Sequence, residues 1–495
     1  MTTAIKTLLR QLAIPLSGAT DDSRQARPGD LFLAYADAIA DRRRYIPDAL
    51  AKGAAAVFWQ AGGDFVWSPD WQVPNLCVDN LRALAGPLAH ELAGRPSEQL
   101  ALLAITGTNG KTTISQWLAQ AHPEPCAAIG TLGAGFAGAM IPTGFTTPEA
   151  PALVRLLADE LAQGARACAL EASSIGIEEG RLNGLRVDTA IFTNLTRDHL
   201  DYHGTQDAYA AAKEKLFLWP RLRLAVLNLD DPFGLRLARA STAHKLIGYS
   251  LTGSNALPAV LRAENLNVTA SGQAFQLVTP KGRVWLETPL LGAYNVANLL
   301  AVAAVLQDRG MTLADLAERL AALTPPAGRM ERYGGQQAPL AVVDYAHTPD
   351  ALENALAALA PVAQARGGKL ICVFGCGGDR DKGKRPLMGR VAVHQADEVW
   401  LTSDNPRSED PLAILADIRA GIASNAAVRV EADRALSIAG AIAEADRADV
   451  LLIAGKGHEP VQEIAGARHP FLDAEHIERA LARRLQTEET SCAGT

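Results

Sequence analysis

Seven residues carry the densest chemistry in the chain: Gly107, Thr108, Asn109, Gly110, Lys111, Thr112 and Thr113. Small residues at this spacing let several backbone N–H groups point at one spot, which is how a phosphate is cradled. Lys111 can reach terminal phosphates, and the Thr112 hydroxyl can ligate Mg²⁺. The strict pattern G-x-x-x-x-G-K-[ST] is not met, because Ile105 holds the first glycine position. The mechanism needs a strand before the loop and a helix after it, whose N-terminus attracts anions. The apolar run 100–105 reads as a buried parallel strand, and 114–121 reads as a helix. The loop therefore predicts binding of a nucleoside triphosphate. The plainer alternative is an ordinary helix start capped by Thr108 or Asn109.

Other polar groups follow other strand-like runs. Run 167–170 leads into Glu171, Ala172, Ser173 and Ser174, and run 189–192 leads into Asn194, Arg197, Asp198 and His199. A carboxylate and an imidazole thus reach the same sheet edge as the loop. Mg²⁺ prefers oxygen donors, so Thr112 and Glu171 suit a metal bridging two phosphates. His199 is a less usual Mg²⁺ ligand and fits a capping or packing role equally well. Read alone, Lys213 is a helix-surface lysine. Four more polar loops follow strand-like runs further on. They hold Asp344 to Pro349, the basic stretch 375–385, Asp404 to Arg407, and Gly455 to Glu459.

The elements that must position these groups form three blocks. Residues 1–98 mix short strands and helices. Within them Arg42, Arg43 and Arg44 read either as a clamp for substrate phosphates or, for at least two of the three, as a solvated helix start. Residues 99–325 alternate strands (100–105, 167–170, 189–192, 224–228) with helices (151–163, 207–218), which implies a parallel sheet covered on both faces. Antiparallel strands are expected over 256–288, then helices at 295–306 and 313–320. Residues 326–485 repeat the α/β pattern, with strands at 340–343, 370–374, 398–402 and 450–454. The polar stretch 486–495 reads as a disordered tail. The fold class is α/β, with ligands expected beyond the carboxyl ends of the strands.

Length and charge bound the rest. A chain of 495 residues is too long for one core. Its 48% apolar and 20% charged residues are ordinary for a globular protein. A net charge of −7 argues against a general nucleic-acid or anionic-membrane binder. No run approaches a transmembrane span, and the first residues lack a signal peptide's apolar core. The six scattered cysteines fit reduced thiols and a cytoplasmic location. Cys372 and Cys376 read as a strand residue and a turn residue in preference to a metal pair.

Taken together, the motifs resemble the ATP-dependent ligases that build the peptide of bacterial peptidoglycan, the Mur ligase family. The residues that carry the resemblance are 107–113, Glu171 to Ser174, 194–202, Gly292 to Asn295, Gly328 to Glu331, Asp344 to Pro349 and Asp404 to Arg407. The resemblance runs from about residue 20 to 480. The resemblance implies three domains: a small mixed α/β domain for a UDP-sugar, a central P-loop ATPase-like sheet, and a Rossmann-like α/β domain for an amino acid. It implies that ATP activates a substrate carboxylate as an acyl phosphate, which an amine then displaces. It implies metal ligation by Thr112, Glu171 and His199, and a carbamate on Lys213 holding a second Mg²⁺. Lys111, Lys213 and His199 are then the catalytic groups, with Asn295, Arg329 and Asp344 joining the loop in holding ATP. Ser23, Arg24, Thr146, Thr147, Ser173, Glu179 and Arg181 match the UDP-muramoyl-peptide site. Asp404-Asn405-Pro406-Arg407 resembles the signature of members that add meso-2,6-diaminopimelate to UDP-N-acetylmuramoyl-L-alanyl-D-glutamate. Arg380, Arg407, Asp404, Asn405, Pro406, Gly455 and Glu459 would form that pocket. All partners implied are small molecules, and the chain reads as a monomer.

Phe145, Ile175 and Asp37 depart from residues common in the family, and Glu179 stands where glutamine is frequent. The competing readings are a lysine-adding ligase, a folylpolyglutamate synthase and a non-catalytic ATP-binding relative. Asp404 to Arg407 argues against the first. The segment Asp22-Ser23-Arg24 argues against the second. Retention of Lys111, Glu171, His199 and Lys213 argues against the third.

Overall fold

The computed structural model describes residues 2–37, 40–423 and 426–493. By its internal contacts the chain forms two compact units, residues 1–262 with 298–312, and residues 263–297 with 313–495.

The first unit opens with four short parallel strands in the order β1-β2-β3-β4: β1 (Gly18–Thr20), β2 (Asp30–Ala34), β3 (Ala56–Trp59) and β4 (Asn75–Cys77). The short 3₁₀ turn Arg42–Tyr45 corrects the expectation of a solvated helix start. Arg43 is buried and donates to Gln60 O, Gly62 O and Asp41, while Arg42 pairs with Asp37 and Asp21. Of the three arginines only Arg44 is exposed.

The larger sheet of this unit is built from β5 (Ala101–Thr106), β6 (Cys126–Gly130), β7 (Gly133–Phe136), β8 (Ala167–Glu171), β9 (Thr189–Phe192), β10 (Leu224–Asn228), β11 (Lys245–Ser250) and the start of β12 (Val260–Thr269). Their order is β12-β11-β10-β9-β5-β8-β6-β7, and only β6–β7 is antiparallel. β5 lies between β8 and β9, so their carboxyl ends adjoin at the point where the winding reverses, the usual ligand crevice of such sheets. Leu102, Leu103, Ala104 and Ile105 are wholly buried, which is why the run carries no polar alternation.

In the second unit β13 (Gly272–Thr279) and β14 (Gly282–Thr288) form an antiparallel hairpin, as expected for that region. A six-stranded sheet follows: β15 (Arg329–Gly334), β16 (Leu340–Asp344), β17 (Leu370–Phe374), β18 (Glu398–Leu401), β19 (Val428–Val430) and β20 (Val450–Ala454). Its order is β15-β16-β20-β17-β18-β19, parallel except at β15. A small hairpin, β21 (Val461–Ile464) and β22 (Ala467–Pro470), comes next. The last helix, Asp473–Ala493, runs through much of the stretch expected to be disordered. Ile477, Ala480 and Leu481 are buried and anchor its first turns, and the alanine-, arginine- and glutamate-rich sequence carries the helix on. Residues 494 and 495 lie outside the described residues.

No described helix is long and apolar enough to cross a membrane. Cys372 is a buried residue of β17 and Cys376 follows it in the loop, with its thiol 3.6 Å from the Met388 sulfur.

Candidate active site

The phosphate loop joins β5 to the helix Lys111–Ala121, with Gly110 at the cap in a left-handed conformation (φ 86°). Asn194, beyond β9, holds the loop from the side. Its Oδ1 accepts from Asn109 N at 3.0 Å and its carbonyl from Thr108 N at 2.8 Å. The Thr193 hydroxyl donates to Asn109 O at 2.6 Å. A Cβ at Gly107 would collide with that hydroxyl, and one at Gly110 would meet Asn298 Oδ1 at 2.7 Å. Both glycines are therefore dictated by close approach. Lys111 Nζ curls back over the loop, donating to Gly107 O at 2.9 Å and Thr108 O at 2.8 Å.

Glu171 ends β8 and is buried. The Thr112 hydroxyl donates to its Oε2 at 3.0 Å, and Thr131 donates to both carboxylate oxygens from its N–H (3.0 Å) and hydroxyl (3.1 Å). Sequence reasoning passed over Thr131. It stands just past the end of β6, where a hydroxyl beyond a parallel strand was the available signal. The Thr112 and Glu171 oxygens form a hard, anionic donor set that fits Mg²⁺. His199 has a left-handed backbone (φ 52°) ahead of the short helix Leu200–His203. It is half exposed, 3.5 Å from Asp198, and its ring lies edge-on to Tyr209. Among the described residues no three His, Cys, Asp or Glu side chains cluster closely enough to hold a metal.

Lys213 corrects its reading as a surface lysine. It lies on the inner face of the helix Gln206–Phe217, 1% exposed. Its Nζ donates to Gly107 O at 3.0 Å and sits 4.3 Å from the centre of the Tyr209 ring. Burial, and then the neighbouring Lys111 charge, holds the Lys213 ammonium well below its ordinary value. Burial likewise pushes the Tyr209 phenol up to about 12.

Ser23, Arg24 and Arg181 line one cavity of about 900 Å³, with Arg42, Phe145 and Glu149. Arg24 is exposed and paired with Asp22 at 2.9 Å. Arg181 is held by Glu179 (2.6 Å), Glu149 (2.9 Å) and the Thr147 carbonyl (2.7 Å). Ser173 caps the short helix Ser174–Glu178 and accepts from Thr147 Oγ1 at 2.9 Å. Thr146 meets Thr131 at 3.0 Å, linking this wall to Glu171. Asp37 binds Arg42 beside the same cavity.

In the second unit Asp344 ends β16 opposite Arg329 of β15. Asp344 Oδ2 accepts from Met330 N at 3.0 Å, and burial holds its carboxyl above the usual range. Arg329 lies 4.9 Å from the Tyr345 ring centre. Asn295 donates to Leu291 O at 2.8 Å at the start of the helix Ala293–Asp308. Arg380 and Arg407 flank Gly377. A Cβ there would meet Arg407 Nη1 at 2.9 Å and Arg380 Cγ at 3.7 Å. Arg407, in a left-handed backbone (φ 54°), donates to Gly378 O at 2.6 Å. Asp404 is buried against Gly455, whose missing Cβ makes room for the carboxylate. Asn405 Nδ2 donates to Glu459 Oε2 at 2.7 Å, and Pro406 separates Asn405 from Arg407.

A family model described as the Mur ligase middle domain matches residues 105–306, and the Mur ligase glutamate ligase domain matches 328–457. A protein of Chromobacterium violaceum is 49% identical, covering 96% of this chain and 96% of that one. The chain belongs to the Mur ligase family. A Pseudomonas aeruginosa relative of this Mur ligase is 51% identical, covering 96% of this chain and 95% of its own. Both are named UDP-N-acetylmuramoyl-L-alanyl-D-glutamate--2,6-diaminopimelate ligase. A solved structure with the same name is 38% identical over 95% of this chain and 96% of that one, with a TM-score of 0.71. This Mur ligase is thus one of the ATP-dependent enzymes that form amide bonds.

The sequence candidates in this Mur ligase fall into groups that the fold brings together. Lys111, Thr112, Glu171, Lys213 and Asn194 gather at the ends of β5, β8 and β9. Ser23, Arg24 and Arg181 share the cavity. Arg380, Asn405, Arg407, Gly455 and Glu459 gather at the ends of β17, β18 and β20. Asp404 departs from the reading that it receives a substrate ammonium directly, since its carboxylate is turned inward and its Oδ1 accepts from Asn405 N at 2.7 Å.

Proposed function

We propose that the chain joins the amine of meso-2,6-diaminopimelate to the D-glutamate carboxylate of UDP-N-acetylmuramoyl-L-alanyl-D-glutamate, using ATP, in peptidoglycan precursor synthesis. The observation that carries the choice of amino acid is that Arg407 Nη1 and the stem of Arg380 both approach Gly377, so that two arginines serve one loop. Two guanidinium forks fit a carboxylate, and the distal carboxylate is what distinguishes diaminopimelate from L-lysine. Glu459, one edge of the same loop cluster, takes the distal ammonium. The relatives' names support the same substrates.

The substrate carboxylate attacks the terminal phosphorus of ATP, giving an acyl phosphate and ADP. The amine then adds to the acyl carbon, and phosphate leaves as the amide forms. Lys111 and the loop N–H groups hold the transferring phosphoryl group and stabilise its charge. Asn295, Arg329 and Asp344 hold the nucleoside. Mg²⁺, when bound at Thr112 and Glu171 with His199 as a further ligand, supplies charge neutralisation between phosphates. Burial disfavours the ammonium form of Lys213, and the free amine is the form that adds to CO₂ with loss of a proton to give a carbamate. That anion would offset the Lys111 charge beside it.

Ser23, Arg24, Thr146, Thr147, Ser173, Glu179 and Arg181 bind the UDP-muramoyl peptide. The domains are proposed as 1–98, 99–325 and 326–485, in a cytoplasmic monomer whose partners are these small molecules. The test is phosphate release from ATP with the UDP-muramoyl dipeptide and each amino acid in turn. Turnover with meso-diaminopimelate supports the reading; turnover with L-lysine alone contradicts it.

A further inference from the structure

Lys456 is a cation with no exposed surface, lying between two residues of the amino-acid pocket. It belongs to the loop after β20, where Gly455 (φ 116°) and Gly457 (φ 54°) turn the chain back so that the lysine stem points inward. Its Nζ donates to Val461 O at 2.6 Å and to Asn405 Oδ1 at 3.2 Å, and it stands 3.5 Å from Glu459 Oε2. Glu463 N donates to the same Asn405 Oδ1 at 3.0 Å.

These contacts leave the Asn405 amide one orientation. With both donors on Oδ1, the Nδ2 group must face the other way, and there it donates to Glu459 Oε2 at 2.7 Å. Glu459 Oε2 is thereby occupied from two sides. Among the described residues its Oε1 has only a long contact, 3.4 Å from the Tyr345 hydroxyl. One carboxylate oxygen is locked and the other is left to receive a ligand. A buried ammonium is costly to place, and here it contacts two groups of the pocket.

We propose that Lys456 is a positioning residue for the distal ammonium of the amino-acid substrate, acting by fixing Asn405 and through it the free Glu459 oxygen. This rests on the diaminopimelate reading of the site. It separates two tasks in the pocket: Arg407 and Arg380 recognise the distal carboxylate, and the Lys456–Asn405–Glu459 chain recognises the distal ammonium.

The test compares meso-diaminopimelate with L-2-aminopimelate, which keeps both carboxylates and the reacting amine but lacks the distal amine. Steady-state constants are measured for wild type, Lys456→Met and Lys456→Gln. Lys456→Met is expected to raise KM for meso-diaminopimelate about tenfold or more, the effect of losing a charged hydrogen bond. KM for ATP, for the UDP-muramoyl dipeptide and for L-2-aminopimelate should stay within about twofold of wild type, since none has the distal ammonium. Lys456→Gln keeps a donor for Asn405 without the charge and should fall between. If the methionine variant does not fold, the glutamine variant decides. An unchanged preference between the two amino acids, or an equal rise in every KM, overturns the proposal. A wild-type enzyme that ignores meso-diaminopimelate instead overturns the functional reading beneath it.

Discussion

The Thr112 hydroxyl donates to Glu171 Oε2 at 3.0 Å, tying the first turn of the phosphate-loop helix to the end of β8. The two residues are 59 positions apart in sequence. Their contact follows from the pairing of β5 with β8, which sets Ile105 beside Glu171. The carboxylate is buried, receives two further hydrogen bonds from Thr131, and leaves no room for a side chain at Gly130. It is a rigid anion placed at the mouth of a phosphate loop.

Glu171→Gln keeps the shape and removes the charge. If Glu171 helps hold Mg²⁺, the Mg²⁺ concentration for half-maximal phosphate release should rise at least tenfold. Turnover should fall about a hundredfold or more, as on losing an electrostatic group at a transferring phosphate. An unchanged Mg²⁺ requirement would leave Glu171 as a structural anchor for Thr131.

Lys213 should trade stability for function. Among the described residues it has no carboxylate at ion-pair distance, and burial holds its ammonium well below the ordinary 10.5. Below about pH 10.5 the unfolded chain therefore binds this proton more readily than the folded chain does. Stability due to this residue is lost as pH falls from about 10.5 towards the depressed folded value. In bicarbonate-free buffer at pH 7, Lys213→Met should melt above wild type while losing ligation, and the gap in Tm should close as pH rises towards 10. Thermal melts across that range check the sign. A variant less stable than wild type at pH 7 contradicts it.

Much of this was legible because buried parallel strands are continuous apolar runs. The expected spans for β9, β10, β17 and β20 coincide with the observed ones or come within a residue, and their polar successors are the site loops. What escaped depended on contacts remote in sequence. Lys456 and Lys213 look like any lysine in a polar loop or helix; only the packing of neighbouring elements shows their stems to be covered. At least two of Arg42, Arg43 and Arg44 read as solvated because the groups that bury Arg42 and Arg43, namely Asp21 for the first and the Gln60 and Gly62 carbonyls for the second, are remote in sequence. The last helix was missed because composition alone does not reveal that Ile477 and Leu481 anchor it.

The Arg434–Asp473 pair gives a test of the second unit's architecture. Both side chains are buried, with two contacts of 2.7 Å, and Arg434 also donates to Ser403 O and Ala454 O. It thus holds the ends of β18 and β20, from which Asp404 and Gly455 emerge. Asp473→Ala should cost about 3–5 kcal/mol, the penalty of an uncompensated buried charge. The double variant Arg434→Met with Asp473→Leu should cost less than Asp473→Ala alone. Denaturant unfolding of the three proteins measures this; a double variant that loses as much as Asp473→Ala, or more, would argue against a coupled pair.

The choice of amino acid is the central claim, and Arg407 tests it most directly. Turnover is measured at saturating ATP and UDP-muramoyl dipeptide, with meso-diaminopimelate and L-lysine, for wild type and Arg407→Ala. Wild type should prefer meso-diaminopimelate. Arg407→Ala should raise KM for it about ten- to a hundredfold, as expected for a charged hydrogen bond, and leave KM for ATP near its original value. The preference over L-lysine should shrink by the same factor, because the distal carboxylate is the group that L-lysine lacks. A wild-type enzyme that prefers L-lysine, or an Arg407→Ala enzyme with its preference intact, would contradict the account.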